Sequence, residues 1–466
     1  MLRSPLLAGL LAATVLGGCT MAPAYKRPEL PVGQAWPVPA TASPSAPAPA
    51  DLAWRDMFPD ARLQGVIDLA LAQNRDLRVA VGNIEKARAQ YRIQRADLLP
   101  AVNAAGSQAR VHTPQATSQT GAAFTSEQYS ATVGFSAYEL DLFGRIRSLN
   151  AAALQSFFAS EENRRTVQIS LVAEVAADYL TLAADQDLLR ITQDTLKSRE
   201  DDLALTRKRF DLGAISGLDL TQAQTLTEQA RSDAAVAAAQ MARDLNALQL
   251  VVGAQVPAAL LPDGDLMGVK VRAEVQPGLP SQVLTRRPDV LAAEHALQAR
   301  NADIGAARAA FFPRISLTGS TGSASPELDN LFKAGTGAWS FTPQIVLPLF
   351  NGGANIANLK GAKADRDIAV AQYEKAIQVA FREVADALAV RSTVRDRVEA
   401  QQRLVAAASE AQRLTQARYD RGVDSYLNQL DAQRTLYAAR QTLLAAELTE
   451  ALNRVELYKT LGGGTK

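Results

Sequence analysis

The chain is short of the residues that most often carry chemistry: in 466 positions it has one cysteine and two histidines. A lone Cys19 can build neither a disulfide framework nor a Cys-rich zinc site, and His112 and His295 are too far apart in sequence to form an HExxH or similar ligand pair. Basic and acidic side chains nearly cancel, 49 against 48, which leaves no basic footprint for nucleic acid. Neither GxxxxGK[ST] nor a helix-opening GxGxxG is present, so nucleotide phosphates have no recognisable cradle and no cofactor is expected. Carboxylates are plentiful, but no paired acid and base with a pocket signature stands out, so no enzyme is expected. Against these absences, 47% apolar and 21% charged residues supply ample material for folded domains.

The N-terminus is the first informative segment. Arg3 supplies a positive start, Leu6 to Val15 an apolar run, and Leu16-Gly17-Gly18-Cys19 a set of small residues ending in cysteine. This resembles a bacterial lipoprotein box, which implies a signal peptide over 1–18 and lipidation of Cys19. Acyl chains contribute about 0.8 kcal/mol per buried methylene, so several on one cysteine hold a protein on a membrane without a spanning helix. Thr20 stands where an inner-membrane retention signal usually shows Asp, and by that resemblance the outer membrane is favoured. Residues 19–52, rich in Pro and Ala, read as an extended tether.

Proline then becomes scarce in the right places. None falls between Pro114 and Pro257 and none after Pro348, so helices there need not break. Apolar residues recur at three and four in Leu171, Val175, Tyr179, Leu182 and again in Ile377, Phe381, Val384, Leu388, while Leu430, Tyr437, Leu444, Ala451 and Tyr458 recur every seven. Laid on itself, the sequence matches Arg209-Phe210-Asp211-Leu212-Gly213-Ala214-Ile215-Ser216 with Arg418-Tyr419-Asp420-Arg421-Gly422-Val423-Asp424-Ser425, an internal duplication. Gly213 and Gly422 suit the left-handed position past a helix end, Arg209 and Arg418 complement the carbonyl end of the dipole, and Ser216 opens a Ser-x-x-Asp box with Asp219. The segments are therefore helix hairpins, with turns at 210–218 and 419–427. The arms from Gly144 to Leu212 and from Gly353 to Arg421 would each reach roughly 100 Å at about 1.5 Å per residue.

Before each long arm lies a charge-poor stretch with strand periodicity. Trp339 to Leu347 alternates large apolar with mostly polar residues, as does Tyr129 to Ser136, and Ala101 to Val111 and Ile315 to Gly322 alternate more weakly. Residues 334–359 carry no charge, yet Pro343, Pro348 and the alternation oppose a spanning helix and favour spanning strands, of which about 9 to 11 residues suffice. The reading is two β-hairpins, about 100–142 and about 313–350, inside two repeats over 53–260 and 281–461, with a linker at 261–280 and a tail at 462–466. Four strands cannot close a barrel, and an open edge in hydrocarbon costs several kcal/mol per unpaired group, so several chains must share one barrel. Two chains give eight strands and three give twelve, and the arithmetic leaves both open.

The residues resemble the outer-membrane efflux proteins, the channel components of tripartite multidrug pumps, in their lipoprotein, nodulation-type branch. The resemblance spans essentially the whole mature chain. It is carried most specifically by Arg286-Arg287-Pro288-Asp289-Val290 running into Ala293-Glu294, by Asn301-Ala302-Asp303-Ile304-Gly305-Ala306-Ala307-Arg308-Ala309-Ala310-Phe311-Phe312-Pro313, and by the turn from Tyr419 to Gln433. It implies a mainly α fold with a small β part: duplicated long helical hairpins forming a trimeric α-barrel, topped by a twelve-strand β-barrel with four strands per chain. It implies a homotrimer, an equatorial collar near the 261–280 linker, a periplasmic adaptor and an inner-membrane transporter of the RND type as partners, and contact with outer-membrane lipid. By position, Arg209, Gly213, Ser216, Arg418, Gly422 and Ser425 match the adaptor-docking tips, and Leu427 and Asp431 match the periplasmic gate. Gln222 occupies the place of Asp431 in the first copy, and Asp420 stands where some relatives carry a basic residue. An outer-membrane duct for protein secretion and a lipid-anchored periplasmic coiled-coil scaffold are the alternative functions.

Overall fold

The computed structural model describes residues 20–37, 52–119, 121–272 and 277–464. The expected signal peptide, the expected lipidation site Cys19 and residues 38–51 of the Pro/Ala-rich stretch lie outside the described residues. Helices α1 (Ala61–Gln73) and α2 (Arg75–Ala96) lead into strands β1 (Val102–Thr113) and β2 (Phe124–Leu140), then helices α3 (Arg145–Asp211) and α4 (Gly217–Val252). The second half is α5 (Pro288–Ala309), β3 (Arg314–Ser325), β4 (Gly337–Val346), α6 (Ala354–Asp420) and α7 (Tyr426–Thr460). Lengths repeat with the order. Helices α2 and α5 have 22 residues each, β1 and β3 have 12 each, and α3 and α6 have 67 each. The fold is thus mainly helical with one small antiparallel sheet.

Two compact units form. The first draws on residues 20–29, 83–161 and 292–373 and contains the sheet. Its order is β1-β2-β3-β4, every neighbour antiparallel, so the two hairpins join through β2 and β3. Strand β2 runs from Phe124 to Leu140, beyond the alternating stretch at Tyr129 to Ser136 at both ends, and Ala137, with φ 52°, inserts a bulge between Phe135 and Tyr138. The Ala137 amide donates to Thr318 Oγ1 at 3.1 Å, so the bulge keeps its hydrogen bond and restores the side-chain parity beyond it. One face then collects Val133, Phe135, Leu140, Ile315, Leu317, Trp339, Phe341 and Ile345 from paired positions. The opposite face carries Ser107 on Ser130 and Ser320 on Ser340, hydroxyls bonded at 2.8 and 2.9 Å. Glycine keeps the strands close, since a Cβ at Gly322 would fall 2.1 Å from the Ala131 carbonyl oxygen.

The second unit draws on residues 30–37, 52–82, 162–291 and 374–464 and holds the main core. Leu171, Val175, Tyr179 and Leu182 of α3 are buried there with Met57, Phe58, Leu63, Ile67, Leu248, Val384, Leu388, Val455 and Tyr458. Each such side chain contributes about 1.5–3 kcal/mol through burial. Phe381 is covered by Trp36, whose ring stacks on it at 5.1 Å and whose indole N–H donates to the Gly278 carbonyl at 2.8 Å. Arg287 fastens the helix ends: its guanidinium donates to Asp289, to Glu383 and to the Thr460 carbonyl, each at 2.7 Å. Burial opposes that charge, and the carboxylates of Asp289 and Glu383 more than offset it, holding the arginine above its ordinary pKa.

Candidate functional site

The two helix turns are built alike on their outgoing sides. After α3, the Gly213 amide donates to the Phe210 carbonyl at 2.8 Å and the Ala214 amide to the Arg209 carbonyl at 2.9 Å. After α6, Gly422 donates to Tyr419 and Val423 to Arg418, both at 2.9 Å. Gly213 has φ 72° and Gly422 φ 70°, the left-handed conformation that closes these paired bonds. A Cβ at either glycine would meet nothing within 4 Å. Backbone strain, and not crowding, therefore selects glycine.

The return sides differ. Ser216 caps α4 with its side chain on the Asp219 amide at 3.2 Å, and the Asp219 carboxylate accepts from the Ser216 amide at 3.2 Å, a reciprocal capping box. Ser425 caps α7 through the Asn428 amide at 3.4 Å, with no acid at the third position to return the bond. In its place Arg418 reaches across the turn to Asp424 with two hydrogen bonds of 2.6 and 3.1 Å. That guanidinium holds the Asp424 carboxyl below the usual carboxylate range. Arg209 is engaged as well, with its guanidinium 5.2 Å from the centre of the Tyr419 ring.

Leu427 and Asp431 lie one turn apart on α7 and both are exposed, Leu427 by 59%. An adjoining side of the same turns is buried: Tyr426 and Leu430 pack with Ala223, against Leu203, Leu226 and Tyr419. Among the described residues the Asp431 carboxylate has no hydrogen-bond partner, and Asp420 takes the Gln416 side-chain amide at 3.0 Å. The pair is thus an apolar side chain and a charge presented together on an unpartnered face.

Sequence reasoning missed three features here. Gln433 accepts from Arg199 and donates to Asp202 at 3.0 Å, tying α7 to α3 two residues beyond Asp431. Tyr437 donates to Asp233 of α4 at 3.3 Å. Leu212, Leu218 and Val423 stand 83%, 67% and 62% exposed around the turns, an apolar surface that a solvated loop has no need of. Only the exposed leucines carried a local signal, as large apolar residues beside turn glycines.

Duplicated long helical hairpins, each following in the chain a pair of strands of one amphipathic four-stranded sheet, define a class of channel-forming outer-membrane protein. The model of the outer membrane efflux protein family matches residues 66–254 and again 279–463. The chain belongs to that family. It is 49% identical to the antibiotic efflux pump outer membrane protein ArpC of Pseudomonas putida over 97% of this chain and 94% of ArpC. It is 46% identical to the outer membrane protein OprJ of Pseudomonas aeruginosa over 98% and 95% of the two chains. The crystal structure of the open state of the MtrE outer membrane channel of Neisseria gonorrhoeae superposes with a TM-score of 0.88 at 42% identity, over 96% of this chain and 99% of that one. The protein is accordingly an outer-membrane component of an efflux pump.

Proposed function

We propose that three copies of this chain close a twelve-strand barrel in the outer membrane over a tunnel of their paired helical hairpins, and that the assembly is a passive exit duct for small molecules of antibiotic size. The observation that carries this is the sheet. Strands β1 and β4 each pair on one side only, so among the described residues both outer edges are open. Open edges are tolerable in hydrocarbon only if a neighbouring copy pairs with them. Three copies give twelve strands, enough to leave a lumen. The duct performs no catalysis, and its energy comes from an inner-membrane transporter of the RND type through a periplasmic adaptor. Acylation of Cys19 adds a second hold on the membrane.

In this reading the turns around Gly213 and Gly422 dock the adaptor, chiefly through Leu212, Leu218 and Val423, while Arg209 and Arg418 serve first to brace the turns. Leu427 and Asp431 form the gate: in a threefold ring, three leucines narrow the path and three carboxylates set its charge. The test is Leu427→Ala with Asp431→Ala, recorded as single channels in lipid bilayers. Conductance should rise severalfold. An unchanged conductance removes the pair from the gate.

A further inference from the structure

The most specific sequence motif, Glu294 to Arg308 on α5, has no part in the turns or the gate. The structure gives it a different occupant. Residues 20–27 lie along α5 in the opposite direction, and the motif residues grip them in order. Arg27 donates to both carboxylate oxygens of Glu294 at 2.8 and 2.9 Å, and the Tyr25 hydroxyl adds a third bond at 3.0 Å. Asn301 donates to the Pro23 carbonyl at 2.7 Å and Arg308 to the Met21 carbonyl at 3.0 Å. Thr20 ends the run with its hydroxyl 3.3 Å from that of Ser148, in the first turn of α3.

The lengths agree. From Glu294 to Arg308 the helix rises roughly 21 Å at about 1.5 Å per residue, and six steps of extended chain from Arg27 to Met21 cover about 20 Å. Gly305 makes the approach possible, since a Cβ there would lie 2.6 Å from Ser148 Oγ and 2.7 Å from the Ala22 nitrogen. Glu294 is 4% exposed, and a buried carboxylate left without Arg27 would be costly, so the seat discriminates strongly for this peptide. Its Thr20–Met21 end lies at the roots of the central strands. Ser148 follows β2 by eight residues, and Arg308 precedes β3 by six.

We propose that this face of α5 is a seat for the chain's own N-terminal segment, which fixes the residue after the acylation site at the base of β2 and β3. Residues 20–27 are therefore no free tether, because Tyr25 and Arg27 share a buried partner in Glu294. The anchoring role rests on the lipidation of Cys19 proposed above. Pull from the acyl chains would be borne by α5 at the strand roots.

Trypsin tests this on detergent-extracted oligomers, because the Lys26–Arg27 bond lies within the seat. The unaltered chain should resist cleavage after Lys26. Glu294→Gln, Gly305→Val and Arg27→Ala should each speed that cut roughly tenfold or more with the oligomer intact, while Arg300→Ala, whose arginine pairs with Asp303 on its own helix, should not. The exchange Arg27→Glu with Glu294→Arg should restore protection. Arg27→Ala alters only the segment, so the result stands even if an α5 variant fails to fold. Rapid cleavage of the unaltered chain, or equal rates in all variants, overturns the seat. The mass of the released N-terminal peptide reports acylation separately: a protected segment without acyl mass overturns the anchoring role and the lipidation reading together, whereas an acylated segment cut freely overturns the seat alone.

Discussion

The first turn, between α3 and α4, and the second, between α6 and α7, use the same outgoing cap and different return caps. At the first, Ser216 and Asp219 satisfy each other within four residues, so the stability of the turn is local to α4. At the second, the acid has moved ahead of the cap, to Asp424, and pairs with Arg418 at the end of the preceding helix. The second turn is therefore held by a bond from the end of α6 to the residue before the cap of α7. The difference places the exposed ion pair beside Leu427 and Asp431, and leaves the reciprocal box on the copy that has Gln222 at the position of Asp431.

The shared part of the comparison predicts the largest effect. Gly213→Ala and Gly422→Ala should each cost about 1–2 kcal/mol locally, because a Cβ in the left-handed conformation clashes with its own backbone. Hydrogen exchange at the Ala214 and Val423 amides should then quicken roughly 5–30-fold, to a similar extent at both turns. A large effect at one turn only would mean that the common bonding pattern does not decide the stability of both. Next comes the contrast in caps. Ser216→Ala should cost about 1 kcal/mol, read at the Asp219 amide, and Ser425→Ala less, about 0.5 kcal/mol, read at Asn428. The reverse order would show that the reciprocal box adds nothing to the first turn.

The same contrast explains how much could be read in advance. Gly213, Gly422, Ser216 and Ser425 were legible because caps act over three to five residues, and their chemistry is written within that window. The strands were legible through alternation, although the bulge at Ala137 was not, since alanine announces no positive φ. Glu294, Asn301 and Arg308 were recognisable as a motif but not as a seat, because their partners Tyr25, Arg27, Pro23 and Met21 are more than 260 residues away in sequence. Gln433 and Arg199 were illegible for the same reason, being 234 residues apart. The bond from Arg418 to Asp424 was illegible too, because Asp424 lies six residues on and across a turn whose geometry no periodicity encodes.

The smallest effect is the most diagnostic of the second turn. Arg418 depresses the folded-state pKa of Asp424, so the ion pair contributes stability that is fully present above the unfolded carboxyl value of about 3.9 and is lost as pH falls through the lower folded value. Hydrogen exchange at Val423 should quicken as pH falls below about 4, after correction for intrinsic exchange, because protonated Asp424 no longer attracts the guanidinium. Arg418→Gln should abolish that acid step. Both groups are solvent-exposed, so added salt should shrink it as well. The amide of Ala214, at a turn with no such pair across it, should show no matching salt dependence. If Arg418→Gln leaves the acid step intact, the charge holding the second turn closed lies elsewhere, and the Arg418–Asp424 pair does not fasten it.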